Sequence, residues 1–149
     1  MRVAIGSDER SHLTKTIVKD VKRRGHSVEV FGSIANRQEY WPAVAEQVAS
    51  RVAEGDVDEG ILLCWTGTGV CMAANKVPGV RAALCDDAET ARGARLWNQA
   101  NVLCLSMRRT AEVVAKEIVE SWFGTKYQAN REDDSCLAQL GAIEEKYLR

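Results

Sequence analysis

The spacing of apolar residues along this chain switches again and again between two periods, and few folds accommodate that. "RVAIGS" (2–7), "SVEVFG" (27–32), "EGILLCW" (59–65), "VRAALCD" (80–86) and "NVLCLS" (101–106) are short apolar runs of strand type. Between them the spacing turns helical. Leu13, Ile17, Val18 and Val21 recur on one face until Gly25, and "WPAVAEQVASRVAEG" (41–55) is opened by Pro42 and closed by Gly55. "GVCMAANK" (69–76), "DAETARGARLW" (87–97, weakened by Gly93) and "TAEVVAKEIVESWF" (110–123) complete the alternation, and "REDDSCLAQLGAIEEKYLR" (131–149) is a polar-faced terminal helix. Strands that alternate with helices become parallel neighbours joined by right-handed crossovers, so the sheet is covered on both faces. The expectation is a doubly wound α/β domain with a five-stranded parallel sheet. At 149 residues one domain, 1–149, accounts for the whole chain, with "GTKYQAN" (124–130) the only loose segment.

In such a sheet, ligands sit beyond the carboxyl ends of the strands, near the point where strand order reverses. Four clusters fall on that rim: Asp8 and Glu9, then Cys64 to Gly69, then Asp86 and Asp87, then Ser106 to Arg109. The second carries the most chemistry. "TGTG" (66–69) leads into a helix, where glycines let backbone N–H groups turn inward and the helix start adds partial positive charge. It is neither a P-loop nor a G-x-G-x-x-G fingerprint, so a nucleotide is not indicated. One reading is a plain glycine turn. The other is an oxyanion hole with Cys64 close enough to exchange a proton with the adjacent carbon; losing one donor from such a hole costs roughly a hundred- to a thousand-fold in rate.

Composition removes several alternatives. A formal net charge of -1 gives no reason to expect nucleic acid or an anionic membrane surface, and no apolar run approaches a membrane span or a signal-peptide core. The five cysteines (64, 71, 85, 104 and 136) contain no C-x-x-C pair, and His12 and His26 lie far from them in sequence, which argues against a structural zinc site. Cys85 and Cys104 read as reduced, buried residues of a cytosolic protein. His12 reads as a surface residue and His26 as structural. Asp86 and Asp87 stand at a helix start, where capping accounts for them without a metal.

"GSDE", "GILLCWTGTGVCMAANKVPGVRAALCDD", "NQANVLCLSMR" and "SWFGTKYQANR", in this order and spacing, resemble the ribose-5-phosphate isomerase B and galactose-6-phosphate isomerase family over nearly the whole chain. The resemblance implies a flavodoxin-like fold and a homodimer or dimer of dimers with sites between subunits. It implies no metal or organic cofactor, and interconversion of aldose and ketose phosphates through an enediolate; the cytoplasmic location is expected from the lack of a signal-peptide core or membrane span. By position, Cys64 matches the proton-transferring base and Thr66, Gly67, Thr68, Gly69 and Val70 the anion hole. Asp8 matches a carboxylate on the sugar hydroxyls, Asn98 an asparagine at the reacting end, and Arg108 and Arg131 phosphate-binding arginines; the terminal helix, about 131–147, is expected to reach a partner subunit.

Four positions depart from the family pattern. Glu9 stands where a histidine is usual, Trp97 replaces the ring-opening histidine, Trp65 replaces a glycine, and Ser135 replaces a second tail arginine. Indole cannot relay a proton as imidazole does. A base and anion loop kept without the ring-opening group suit a substrate that is already open, such as a tetrulose 4-phosphate whose 4-hydroxyl is esterified. Trp41, Trp65 and Trp97 either narrow the pocket for it or pack a dimer interface. The alternative is a catalytically silent paralogue that binds sugar phosphate or partners an active subunit. Phosphate-ester hydrolysis is a third reading, and it lacks a defensible metal-binding carboxylate cluster.

Overall fold

A computed structural model describes residues 1–148. The five strands β1 (Arg2–Ser7), β2 (Ser27–Gly32), β3 (Glu59–Cys64), β4 (Ala82–Leu84) and β5 (Val102–Ser106) form one parallel sheet. Their order is β2-β1-β3-β5-β4. Helices α1 (His12–Arg23), α4 (Ala88–Leu96) and α5 (Glu112–Gly124) cover one face, and α2 (Trp41–Ala53) and α3 (Thr68–Ala74) cover the other. A 3-10 turn at Ser33–Ala35 follows β2, and α6 (Arg131–Tyr147) ends the chain. None of these helices is long and apolar enough to cross a membrane.

Every residue of β3 is buried, because a central parallel strand meets helices on both sides. Alternate residues divide between two cores. Val3, Ile5, Ile61, Leu63, Leu103 and Leu105 pack with α1, α4 and α5, while Ala4, Leu62, Cys64, Val102 and Cys104 pack under α2 and α3. The α2 layer lies close to the sheet: a Cβ at Gly6 would stand 2.7 Å from Val44 Cγ1, so only glycine fits there. Helix starts follow local chemistry. Ser11 and Thr14 form a reciprocal cap on α1, Asp87 accepts the Thr90 N–H at 2.6 Å on α4, and Asn130 accepts the Asp133 N–H on α6.

The expected doubly wound, three-layer architecture is present, with shorter edges than the apolar runs indicated. The fourth strand begins at Ala82 rather than residue 80, because the Arg81 N–H donates to the Asn101 side chain at 2.7 Å instead of to a strand neighbour. The fifth helix begins at Glu112 rather than 110, after Ala111 as its cap residue. β5 sits inside β4, which makes β4 the edge strand and sets β5 directly against β3. Strand order reverses between β1 and β3, one step from Cys64.

Candidate active site

Ser7 pairs with Leu63 and Cys64 with Ser106, so the chain leaves β1, β3 and β5 at one level. Asp8 and Cys64 therefore start from backbones about 4.8 Å apart, one strand spacing. Beyond Cys64 the backbone is tied to β5: the Met107 N–H donates to the Cys64 carbonyl at 3.0 Å, and the Arg108 N–H to the Trp65 carbonyl at 2.9 Å. Ser106 Oγ donates to that same Trp65 carbonyl at 3.0 Å. These bonds seat Arg108 beside the thiol strand, a placement that follows from β5 lying next to β3.

The loop after Trp65 makes one sharp turn. Gly67 takes φ +75, and a Cβ there would lie 2.6 Å from Leu84 Cδ1 and 2.9 Å from the Leu105 carbonyl carbon. The turn delivers the chain into α3, whose cap residue is Gly67 itself and which no side chain caps. The first helical hydrogen bond is Cys71 N–H to Gly67 O at 3.3 Å, so the amides of Thr68, Gly69 and Val70 have no acceptor within the helix. Thr66 and Thr68 share a hydroxyl hydrogen bond at 2.7 Å, and the Trp41 ring lies flush on Gly69, its Cδ2 3.1 Å from where a Cβ would be.

Cys64 is 5% exposed and belongs to the core on the α2 and α3 side, together with Val44 and Val70. Trp65 next to it is 58% exposed. An open cavity of about 480 Å³ lies on the same rim, on the β1 and β2 side, with Asp8, Glu9, Arg10, Ser33, Asn36 and Arg37 among its walls; Cys64 is not one of them. Asp8 Oδ1 is buried there and has no hydrogen-bond partner among the described residues. Burial raises the Asp8 pKa above its ordinary 3.8, and the adjacent Glu9 charge adds to the rise.

The thiol with a lowered pKa is Cys71, one turn into α3. A hydrogen bond from Cys104 chiefly brings it to about 7, with the Asn75 amide 3.7 Å from its sulfur. It lies between helix and sheet, donating to the Ala82 carbonyl at 3.6 Å, whereas burial pushes Cys85 up to about 12. Asp87 is a helix cap and Asp86 faces Arg109 at 3.8 Å, which accounts for both carboxylates. His26 stacks on Phe123, with ring centroids 4.4 Å apart, and exposed His12 pairs with Glu112 at 2.7 Å.

Within one chain, then, Asp8, Glu9, Cys64, the 66–70 loop and Arg108 share a rim. Trp97 and Asn98 do not. Helix α4 starts at the carboxyl rim and runs back, so both residues lie at the opposite edge, before β5 begins. Arg81, just ahead of β4, donates to the Gln99 carbonyl at 2.8 Å and marks that edge. Trp97 is half exposed, with its ring against Gly93 and the Arg92 guanidinium 5.6 Å from its centroid. Arg131 opens α6, a helix with no buried residue, and the same helix touches the body of the domain where Glu144 accepts the Gly79 N–H at 3.0 Å. About thirteen residues of helix separate the two, some 20 Å.

The doubly wound α/β domain thus sets uncapped amides beside a strand-end thiol at its switch point, with the half-buried Asp8 one strand over. A family model described as ribose/galactose isomerase matches residues 3–138, and the chain belongs to that family. It is 37% identical over 146 residues to the ribose-5-phosphate isomerase B of Escherichia coli K12, covering 97% of each chain. It is 35% identical over 130 residues to the D-erythrulose-4-phosphate isomerase of Pectobacterium atrosepticum, covering 86% of each. Among solved structures, the ribose-5-phosphate isomerase B of Clostridium thermocellum superposes with a TM-score of 0.92 at 38% identity, covering 99% of both chains.

Proposed function

We propose that the chain isomerises a short, open-chain phosphorylated sugar, a tetrulose 4-phosphate being the type substrate, with Cys64 as the proton-transferring group. The thiolate takes the proton from the carbon next to the carbonyl, leaving an enediolate. The amides of Thr68, Gly69 and Val70 hold the oxygen that becomes negative, the hydroxyl proton of the first carbon passes to that oxygen, and the sulfur returns its proton to the former carbonyl carbon, which leaves the carbonyl on its neighbour. Asp8 orients the sugar through a hydroxyl. The observation that carries this reading is the uncapped start of α3 beside Cys64, where donors stand ready without reorganisation.

The short substrate is supported by Trp97 in a position where an imidazole would serve ring opening, and by a D-erythrulose-4-phosphate isomerase among the relatives. We also propose that a second copy completes the site. Trp97, Asn98 and Arg131 lie away from Cys64 in their own chain, while α6 exposes Leu140, Ile143 and Tyr147 to solvent. A symmetric dimer brings these residues and the thiol rim together across its interface.

Purified protein incubated in D₂O with tetrulose 4-phosphate, and separately with ribose 5-phosphate, tests the reading by NMR. Turnover strongly favouring the four-carbon ester is expected, with deuterium entering at C1 or C2. Cys64→Ala should lower kcat by roughly 10²–10⁴-fold. Comparable turnover of ribose 5-phosphate removes the case for a short substrate, and no deuterium exchange with any phosphorylated sugar marks the chain as the silent paralogue.

A further inference from the structure

We propose that Cys71 and Cys104 form a peroxide-sensitive thiol pair: a hydroperoxide oxidises Cys71, and Cys104 then closes a disulfide that ties α3 to β5. The isomerisation requires neither sulfur. Cys104 belongs to the core under α2 and α3, and Cys71 packs against that same core from α3. Both thiols are free, and a hydrogen bond joins them across the gap between helix and sheet.

Long-range packing brings the two together. Cys104 pairs with Leu84 in the sheet, and the Cys71 sulfur lies 3.6 Å from the carbonyl oxygen of Ala82, two residues earlier on that edge strand. The α3 backbone starts low over β5: a Cβ at Gly67 would stand 2.9 Å from the Leu105 carbonyl carbon, and Cys71 follows Gly67 by one helical turn on the same side. A disulfide needs Cα atoms within about 7 Å, and close approach of the two backbones is the condition that Gly67 secures.

Their surroundings assign different roles to the two sulfurs. Cys71 is partly exposed, whereas Cys104 is fully buried. The Cys104 thiol donates to the Cys71 sulfur, and the Asn75 side-chain amide donates to it at 3.7 Å. Asn75 is itself fixed, because it donates to the Ala82 carbonyl and accepts from the Ala82 N–H, each at 2.9 Å, along the open edge of β4. These donors favour the thiolate and bring Cys71 to about 7, while burial holds Cys104 well above its ordinary 9.0. Cys85, pushed up to about 12, stays protonated, and no hydrogen bond reaches the Cys64 sulfur among the described residues.

The chemistry balances with a hydroperoxide as the one oxidant. The Cys71 thiolate attacks the outer peroxide oxygen, an S–O bond forms, the O–O bond breaks, and the other oxygen leaves as hydroxide or alkoxide. Cys104 then attacks the sulfur of the sulfenic acid. The S–S bond forms as the S–O bond breaks, and the hydroxyl departs as water with the Cys104 proton. Two thiols are oxidised by two electrons in all, and the peroxide is reduced.

Purified wild-type protein is treated with a small excess of hydrogen peroxide, its remaining thiols are blocked with N-ethylmaleimide, and the non-reduced peptides are mapped by mass spectrometry. Before blocking, an intact mass lower by two hydrogens is expected. The map should show one cross-linked species joining the Cys71 and Cys104 peptides, and dithiothreitol should remove it. The rate of thiol loss should reach half its maximum near pH 7, where Cys71 ionises. Cys104→Ala should divert the reaction into a dimedone adduct on Cys71, and Cys71→Ala should leave Cys104 a free thiol. Linkage through Cys64, oxidation confined to Cys64 or Cys136, or recovery of Cys71 and Cys104 as free thiols overturns the proposal. If either variant fails to fold, the wild-type map decides alone, and it does so whether or not the chain isomerises a sugar.

Discussion

At the scale of single residues, chemistry readable in sequence and contacts readable only in space meet at the 66–70 loop. "TGTG" announces a turn that needs glycine, and φ +75 at Gly67 bears that out. What no string of letters shows is that a Cβ there would meet both Leu84 and the Leu105 backbone. Gly67→Ala therefore combines left-handed strain with a backbone clash, and should cost about 1–3 kcal/mol in urea denaturation. Activity should fall further than that loss explains, because the turn aims the α3 amides. The lowered pKa of Cys71, about 7, escaped the sequence reading, since it depends on Cys104, thirty-three residues away in the chain.

At the scale of elements, β3, α4 and α5 are joined by one buried cluster. Arg95 of α4 donates to Glu59 Oε1 at 2.5 Å, Trp122 of α5 donates to Glu59 Oε2 at 2.5 Å, and the Arg95 guanidinium lies 5.0 Å from the Trp122 ring centroid. Arg95 also donates to the Ala100 carbonyl, so the cluster holds the turn that carries Trp97 and Asn98. Burial raises the Glu59 pKa above its ordinary 4.5 in spite of the opposing Arg95 charge. The folded chain thus binds this proton more tightly than the unfolded chain. Stability from this group is full below pH 4.5 and is lost as pH rises through the higher folded value. Urea midpoints measured from pH 4.5 toward neutrality should show that downward contribution, with Asp8 acting in the same sense, and Glu59→Gln should flatten the slope. Element type and order were legible because apolar period and caps such as Ser11 and Asp87 are local. The late start of the fourth strand was not, since it depends on the Asn101 side chain arriving from the far side of α4.

At the scale of the whole molecule, the division of site residues between two edges of the sheet makes a sharp prediction about assembly. If the thiol rim of one copy works with Asn98 of another, Cys64→Ala and Asn98→Ala proteins are each inactive alone. Mixed after subunit exchange, half the dimers carry one intact site each, and activity should return to roughly a quarter of wild type. Sedimentation of the wild type at dimer mass accompanies that recovery, whereas persistent inactivity places both residues in one chain's site. What the linear chain settled was the class of fold, the rim residues after each strand and the glycine loop beside Cys64, because periodicity, caps and turn chemistry act within a few residues. Tertiary structure decided that β5 lies inside β4, that Arg108 stands beside the thiol strand while Trp97 and Asn98 lie at the opposite edge, and that Asp8 lines an open cavity on the β1 and β2 side. Those outcomes depend on which strands become neighbours and which edge each helix returns to, and such long-range packing leaves no trace in local spacing.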